Sequence, residues 1–556
     1  MNSRLTNKIK IGKSKHNKLI KRTKKPKPTK PTKPTKPTKT KYFKLCPLGI
    51  DKLLSNVVSK KVDKDIDLYL SNIIHKYGNK INNLARLYQG VYNNLKIKKL
   101  EVVEIENYLK LSYPSKVDIL YLILDTLQNN YHKLQLTEII SSIPEKEKQA
   151  KEINKYIENN SKYFDNLVYG LSIEQEKLVA LKFPAFNFSE NKLQYTNYVS
   201  HEVHQCIINE LKYKITYSYS YKFNDKEVKN NIIIYTPNKS AKFDTLARYT
   251  ASRILFMNHY LNTIKSPKFT IYYCSAYKYM PDGIDIFAPN NLNTAVTDGE
   301  SIIIWRSEEL LKSIIHECIH FYNLDFHFYK YPNNLQREYY SFGIDPSSDL
   351  RLSEAYTELW ANVLNLIITL SSQNNKKRNK KILTNIQQHK SSKPKKSNIN
   401  ENSSNNSIDL KKFARLLKQE ILFSQFQASK ILNYLGCQTI QDFYNKKCKL
   451  LKQTTNAFSY HFVKSKLLMS MDKILQNCVK TRNDELLSLQ FVDTQPTFEY
   501  LHNLIMKPSN WEDMMDIMLN SIINIISKSD KSKTGKLQKN DIHFKTLRMT
   551  SVEQLI

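Results

Sequence analysis

The sequence predicts an α+β protein: a helical N-terminal portion, a small sheet with an edge hairpin, and then mostly helices. Three observations carry this expectation. Residues 46–190 space Leu, Ile, Val and Tyr by three and four positions. From about residue 191 the pattern turns to short runs of β-branched and aromatic residues bounded by Pro, Asn and Lys. Beyond residue 306 the helical spacing returns and dominates.

The chain opens on a different composition. Residues 1–45 hold 17 Lys and Arg with no Asp or Glu, about half of a formal net charge of +35 across 556 residues. Within this tail a Lys-Pro-Thr triplet repeats up to Thr38, and Pro at every third place blocks helix and ladder hydrogen bonds, so a disordered, extended arm is expected. Two roles stay open for it. One is a phosphate-neutralising arm for nucleic acid or another polyanion, the other a solubilising or targeting tail, including nuclear import.

Residues 46–190 are expected to form a separate helical domain, with segments near 51–61, 65–75, 79–95, 100–111, 115–131 and 146–163. No His, Asp or Glu cluster with ligand spacing occurs there, so it reads as a packing or partner-binding module. Residues 191–526 read as a second domain. Strands are expected at 228–237 and 268–276 around a helix at 243–260, followed by a hairpin, 293–297 and 301–306, turning through Asp298-Gly299. A low-complexity stretch at 371–407 reads as a disordered insertion, and residues 527–556 as a mobile tail.

Bulk properties bound the function. With 41% hydrophobic and 11% aromatic residues most of the chain can bury a core, which excludes a wholly disordered protein. Seven scattered Cys with no CxxC pair argue against a disulfide framework or a Cys-only zinc site and favour a reducing compartment. No apolar run is long enough to span a bilayer, so a soluble, intracellular protein without a membrane partner is expected. With only 10 Gly and no Gly-rich phosphate loop, nucleotide hydrolysis is not indicated.

The chemistry-bearing residues follow the hairpin. Ser307-Glu308-Glu309 reads as the acidic first turn of a helix made apolar by Leu310, Leu311, Ile314, Ile315, Cys318, Ile319 and Phe321. On it lies His316-Glu317-Cys318-Ile319-His320, an H-E-x-x-H pattern. The i,i+4 spacing puts both imidazoles on one face, where they can share one zinc ion, and Glu317 stands where a general base for the activated water is needed. Chance yields such a pattern in roughly one chain in a hundred of this size, so its apolar setting matters: two His and a Glu are costly to bury without a partner. A nearby decoy, His201-Glu202-Val203-His204, lacks both the spacing and the apolar helix.

A zinc site of this type needs a third protein ligand and leaves a fourth place for water. Asp325, His327, Asp349, Glu354 and Glu358 are the downstream candidates. A metzincin pattern would need Gly at 323 and His at 326, where the chain has Asn323 and Phe326. Residues 348–370 form a second apolar helix with Glu354 and Glu358 one turn apart on one face. The simplest reading makes Glu354 the third ligand and lets Glu358 accept a hydrogen bond from a ligand imidazole.

Residues 316–320 followed by Ser353-Glu354-Ala355-Tyr356-Thr357-Glu358 resemble the gluzincin zinc metallopeptidases, H-E-x-x-H with a downstream E-x-x-x-E or E-x-x-x-D helix. The likeness covers about residues 228–370 and is greatest to peptidases of this type encoded by large DNA viruses. The 33 residues between His320 and Glu354 make a longer spacer than in thermolysin-like or aminopeptidase-like members. The resemblance implies one zinc ion on His316, His320 and Glu354, a peptide or protein substrate held by an edge strand at 293–297, and Glu317 as general base. It also implies an oxyanion donor from a later helix, for which Tyr460 and His461 are the candidates. The alternative is a catalytically silent protein of the same fold, structural or associated with nucleic acid through its basic tail.

Overall fold

A computed structural model of the chain describes residues 60–105, 130–142, 146–159, 210–223, 225–281, 286–325, 333–348, 350–389, 407–478, 495–529 and 542–552, with a few single positions between them. The expected tail at 1–45, the helix expected at 51–61 apart from residues 54, 60 and 61, the helix expected at 115–131 up to residue 129, residues 160–199, and 390–406 and 530–541 within the two expected disordered stretches lie outside this set.

The architecture is α+β. Strands β1 (Lys96–Glu104), β2 (Tyr213–Phe223), β3 (Lys226–Thr236), β4 (Lys268–Tyr272), β6 (Ala295–Thr297) and β7 (Ser301–Ile304) form one mixed sheet in the order β1-β2-β3-β4-β7-β6. The β1-β2-β3 and β6-β7 pairs are antiparallel, while β3-β4 and β4-β7 are parallel. The parallel β3-β4 step is possible because helix Lys242–Tyr260 provides the crossover. Its sequence buries Phe243, Leu246, Ile254 and Leu255. Asp298-Gly299 makes the tight hairpin as expected, with Gly299 at φ 87° and the Asp298 carboxylate accepting from the backbone of Glu300 and Ser301. This leaves β6 at the edge of the sheet.

The N-terminal portion departs from the expectation of a separate helical domain at 46–190. The expected segments at 65–75 and 79–95 merge into one 35-residue helix, Lys60–Asn94, packed on helices Lys242–Tyr260, Ser353–His389 and Leu410–Tyr434. Of the helix expected at 100–111, residues 100–104 belong to β1 instead, pairing with β2 through a bulge between Lys99 and Glu101, and residues 106–111 lie outside the described residues. The period-2 signal is absent because β1 is an exposed edge strand with little to segregate on its two faces. All described residues therefore belong to one compact unit.

Two expected disordered stretches are partly ordered. Helix Ser353–His389 runs through residues 371–389, with Ser371 and Ser372 buried. Near the other end, residues 546–552 are buried rather than a mobile tail. Cys437 and Cys448 are joined by a disulfide, against the expectation from Cys spacing; 11 positions of separation across a turn carry no motif.

One long-range junction brings the later segments to the hairpin. The backbone at Gly343 and Asp345 pairs with Leu451, and β8 (Lys452–Gln453) pairs with β5 (Ile286–Phe287). Thr455 then hydrogen-bonds Asn293, fixing loop 454–456 beside the edge strand. Gly343 is required at this junction, since a Cβ there would lie 2.6 Å from both the Phe443 ring and the Phe443 carbonyl oxygen. Gly343→Ala should lower stability by about 1–3 kcal/mol through overpacking. Urea unfolding measures it, and an unchanged midpoint would contradict the close approach.

Candidate metal centre

The helix carrying His316 and His320, Leu310–Phe321, is buried over nearly its whole length and packs on β6, β7 and the helix Ser353–His389. It starts at Leu310, not Ser307. Glu309 precedes it in the left-handed region (φ 60°) with its side chain fully buried and paired to Lys278 at 2.6 Å. Glu308 is buried too, accepting from the Lys278 backbone. The expected acidic first turn is instead a pair of interior carboxylates that precede the helix and compensate buried cations.

One face of this helix presents His316 and His320 toward Glu354 of the second helix. His316 Nε2 and His320 Nε2 are 3.0 Å apart, and Glu354 Oε2 lies 3.4 and 3.3 Å from them. Donor atoms about 2.0–2.1 Å from one tetrahedral ion would sit about 3.3 Å from each other, so this triangle has the size that a small divalent cation requires. The chemistry agrees: two facing imidazole nitrogens beside a carboxylate need something positive between them, a proton or a metal. Among the described residues these three form the one group of His, Cys, Asp and Glu able to hold an ion.

Electrostatics make the same point. Burial alone would raise the Glu354 pKa, but His320 and His316 hold it well below the usual carboxylate range. Burial alone would lower the His320 pKa, yet Glu354 and Asp325 carry it well above its usual value. The centre is thus anionic apart from what its two imidazoles bind, and a cation can take the place of their protons.

Each imidazole is backed by a carboxylate. His320 Nδ1 is 2.8 Å from Asp325 Oδ2, which also accepts from Thr357 Oγ1 at 3.2 Å. His316 Nδ1 lies 3.4 Å from Glu358 Oε2, a long contact, and the shorter bonds of Glu358 are to Lys312 Nζ at 2.6 and 2.9 Å. Glu358 therefore sits where the sequence puts it but shares its charge with Lys312. Asp325, weighed in the sequence as a ligand, is a support for His320, and Lys312 went unnoticed. The signals were an acidic residue five positions after His320 and a Lys one turn before His316 on an apolar helix.

Glu317 is buried and lines the same cavity as the triad; burial raises its pKa above the ordinary value. Tyr460 donates to Glu354 Oε2 at 3.1 Å from a short π-helix, Phe458–Val463. Such bulges often occur at functional sites. Burial, with Glu354, Glu358 and Glu317 nearby, raises its pKa far above the usual value, so it keeps its proton. His461 does not join the site. It is fully buried, neither ring nitrogen has a hydrogen-bond partner, and burial together with Lys464, Lys430 and Lys278 holds it neutral. Adjacent positions on a helical turn point apart, which is why only Tyr460 reaches the triad. His327, Asp349, His201 and His204 lie outside the described residues.

The cavity measures about 580 Å³ and is walled by β6 with residues Asn293 and Thr294 before it, by loop 454–456, and by Met549. No family model, curated protein or solved structure matches this chain. No described helix is long and apolar enough to cross a membrane.

Asp325→Asn should weaken metal affinity by about 10–100-fold while leaving the three ligands in place, because the His320 ring loses its charged partner. Competition with a chelator measures this. Unchanged affinity would remove Asp325 from the centre.

Proposed function

We propose that this chain is a zinc-dependent peptidase of the gluzincin kind, cleaving peptide bonds of a peptide or protein substrate. The observation that carries the reading is the 3.0–3.4 Å triangle of His316, His320 and Glu354 opening on a cavity lined by Glu317, Tyr460 and a sheet edge. Three protein ligands of N, N and O type suit zinc at a hydrolytic site with one open position, whereas calcium and magnesium prefer all-oxygen shells. When bound, zinc would acidify water and polarise the scissile carbonyl.

The chain's own residues divide the remaining work. Glu317, its basicity raised by burial, takes the proton of the attacking water and passes it to the leaving amine. Tyr460 keeps its proton at neutral pH and donates a hydrogen bond to the oxyanion as the carbonyl becomes tetrahedral. The free edge of β6 offers backbone N–H and C=O groups to an extended substrate, which adds as another strand. Asp325 holds the His320 imidazole in orientation, while Glu358 lies 3.4 Å from that of His316.

Glu317→Gln tests this reading because it keeps the shape and removes the base. The variant should retain about one zinc per chain and lose cleavage of a mixed peptide library by about 10²–10⁴-fold. Zinc-loaded protein that cleaves nothing, or cleavage unchanged by the substitution, would favour the silent alternative, with the tail of residues 1–45 carrying its nucleic-acid role.

A further inference from the structure

Residues 546–552 occupy a slot built of buried charges. The Glu309 carboxylate accepts from the backbone N–H of Met549 at 2.5 Å and of Thr550 at 2.6 Å. Glu420, on helix Leu410–Tyr434, accepts from Thr550 Oγ1 at 2.6 Å and from Ser551 N, Ser551 Oγ and Val552 N at 2.8 Å each. Lys464 donates to the Met549 carbonyl at 2.5 Å, and Lys430 to that of Thr546. The segment is thus bonded at both its donors and its acceptors by acidic and basic side chains that are all buried.

Such a slot cannot close when empty. Withdrawing the segment would leave Glu420 without those four hydrogen bonds, and an unpaired interior carboxylate is strongly destabilising. The segment therefore behaves as a ligand of the fold, bound by side chains from three separate elements.

That slot is continuous with the metal centre. Glu309 is at once the residue preceding the metal helix and the acceptor for Met549 and Thr550. One turn on, Lys312 joins Glu358 to the helix, and its Nζ lies 3.9 Å from Met549 Sδ. Met549 also lines the cavity beside His316 and Glu317. The segment is thereby tied to both helices that supply ligands, through Glu309 on one side and Asn362 and Asn365 on the other.

We propose that residues 546–552 are an intramolecular clasp for the metal helix, and that seating of this segment sets how firmly the centre holds its ion. The inference deepens the proposed zinc site, since the quantity regulated is metal retention. A site whose support comes from a segment about 190–240 positions away in sequence is complete only when that segment is docked.

The test uses the full chain with Glu420→Gln, which touches no metal ligand, and with the milder Thr550→Val, which still reports if the first variant fails to fold. Zinc release to a chelator and hydrogen–deuterium exchange of residues 310–321 are measured together. Release should quicken about tenfold, and exchange of 310–321 should rise with that of 546–552. Faster exchange confined to 546–552, with zinc release and 310–321 as in the parent chain, would overturn the clasp while leaving the metal site standing. Should the parent chain bind no zinc, the metal reading fails, and the exchange of 310–321 alone still decides the clasp.

Discussion

Burying charge governs this structure. Two imidazoles and the carboxylates of Glu317, Glu354, Glu358 and Asp325 lie together in the interior, where each unpaired charge would cost several kcal/mol. The arrangement is tenable because His316, His320, Glu354, Glu358 and Asp325 each have a partner of opposite sign or a proton to share. Asp325 and Thr357 stand behind His320, and Lys312 stands behind Glu358. On the proposed reading, a cation at the meeting point of His316, His320 and Glu354 would supply the last positive charge without relying on imidazolium protons.

The fold serves that constraint. The sheet ends in a short antiparallel hairpin whose outer strand is left as an edge, and the helix carrying His316 and His320 begins a few residues later. The second helix crosses behind it, and the junction at Gly343 and Leu451 carries Tyr460 back over the cavity. The edge strand, the His316, His320 and Glu354 triangle and Tyr460 are thus brought together from stretches far apart in sequence. Their alignment rests on packing and on interior hydrogen bonds such as Thr455 to Asn293.

What was legible in the sequence is what short-range pattern encodes. The i,i+4 His pair, Glu317 between them, the Glu354/Glu358 turn and the Asp298-Gly299 hairpin all declare themselves within a few residues. Interior ion pairing does not, because Lys278 with Glu309 and Lys312 with Glu358 join residues that are ordinary in sequence and distinctive only once buried. For the same reason residues 546–552 read as a tail, since Thr, Arg, Met and Ser say nothing of an acidic slot waiting elsewhere. Residues 100–104 misled in the opposite direction, offering helical spacing to a segment that the exposed flank of β2 recruits as an edge strand.

The most direct measurement is anomalous diffraction from crystals of protein purified without added metal, recorded on both sides of the zinc absorption edge. The account predicts one strong peak that vanishes below the edge, about 2.0–2.2 Å from His316 Nε2, His320 Nε2 and a Glu354 oxygen. A map with no peak there, or with the Glu354 carboxylate turned away from the two imidazoles, would contradict it.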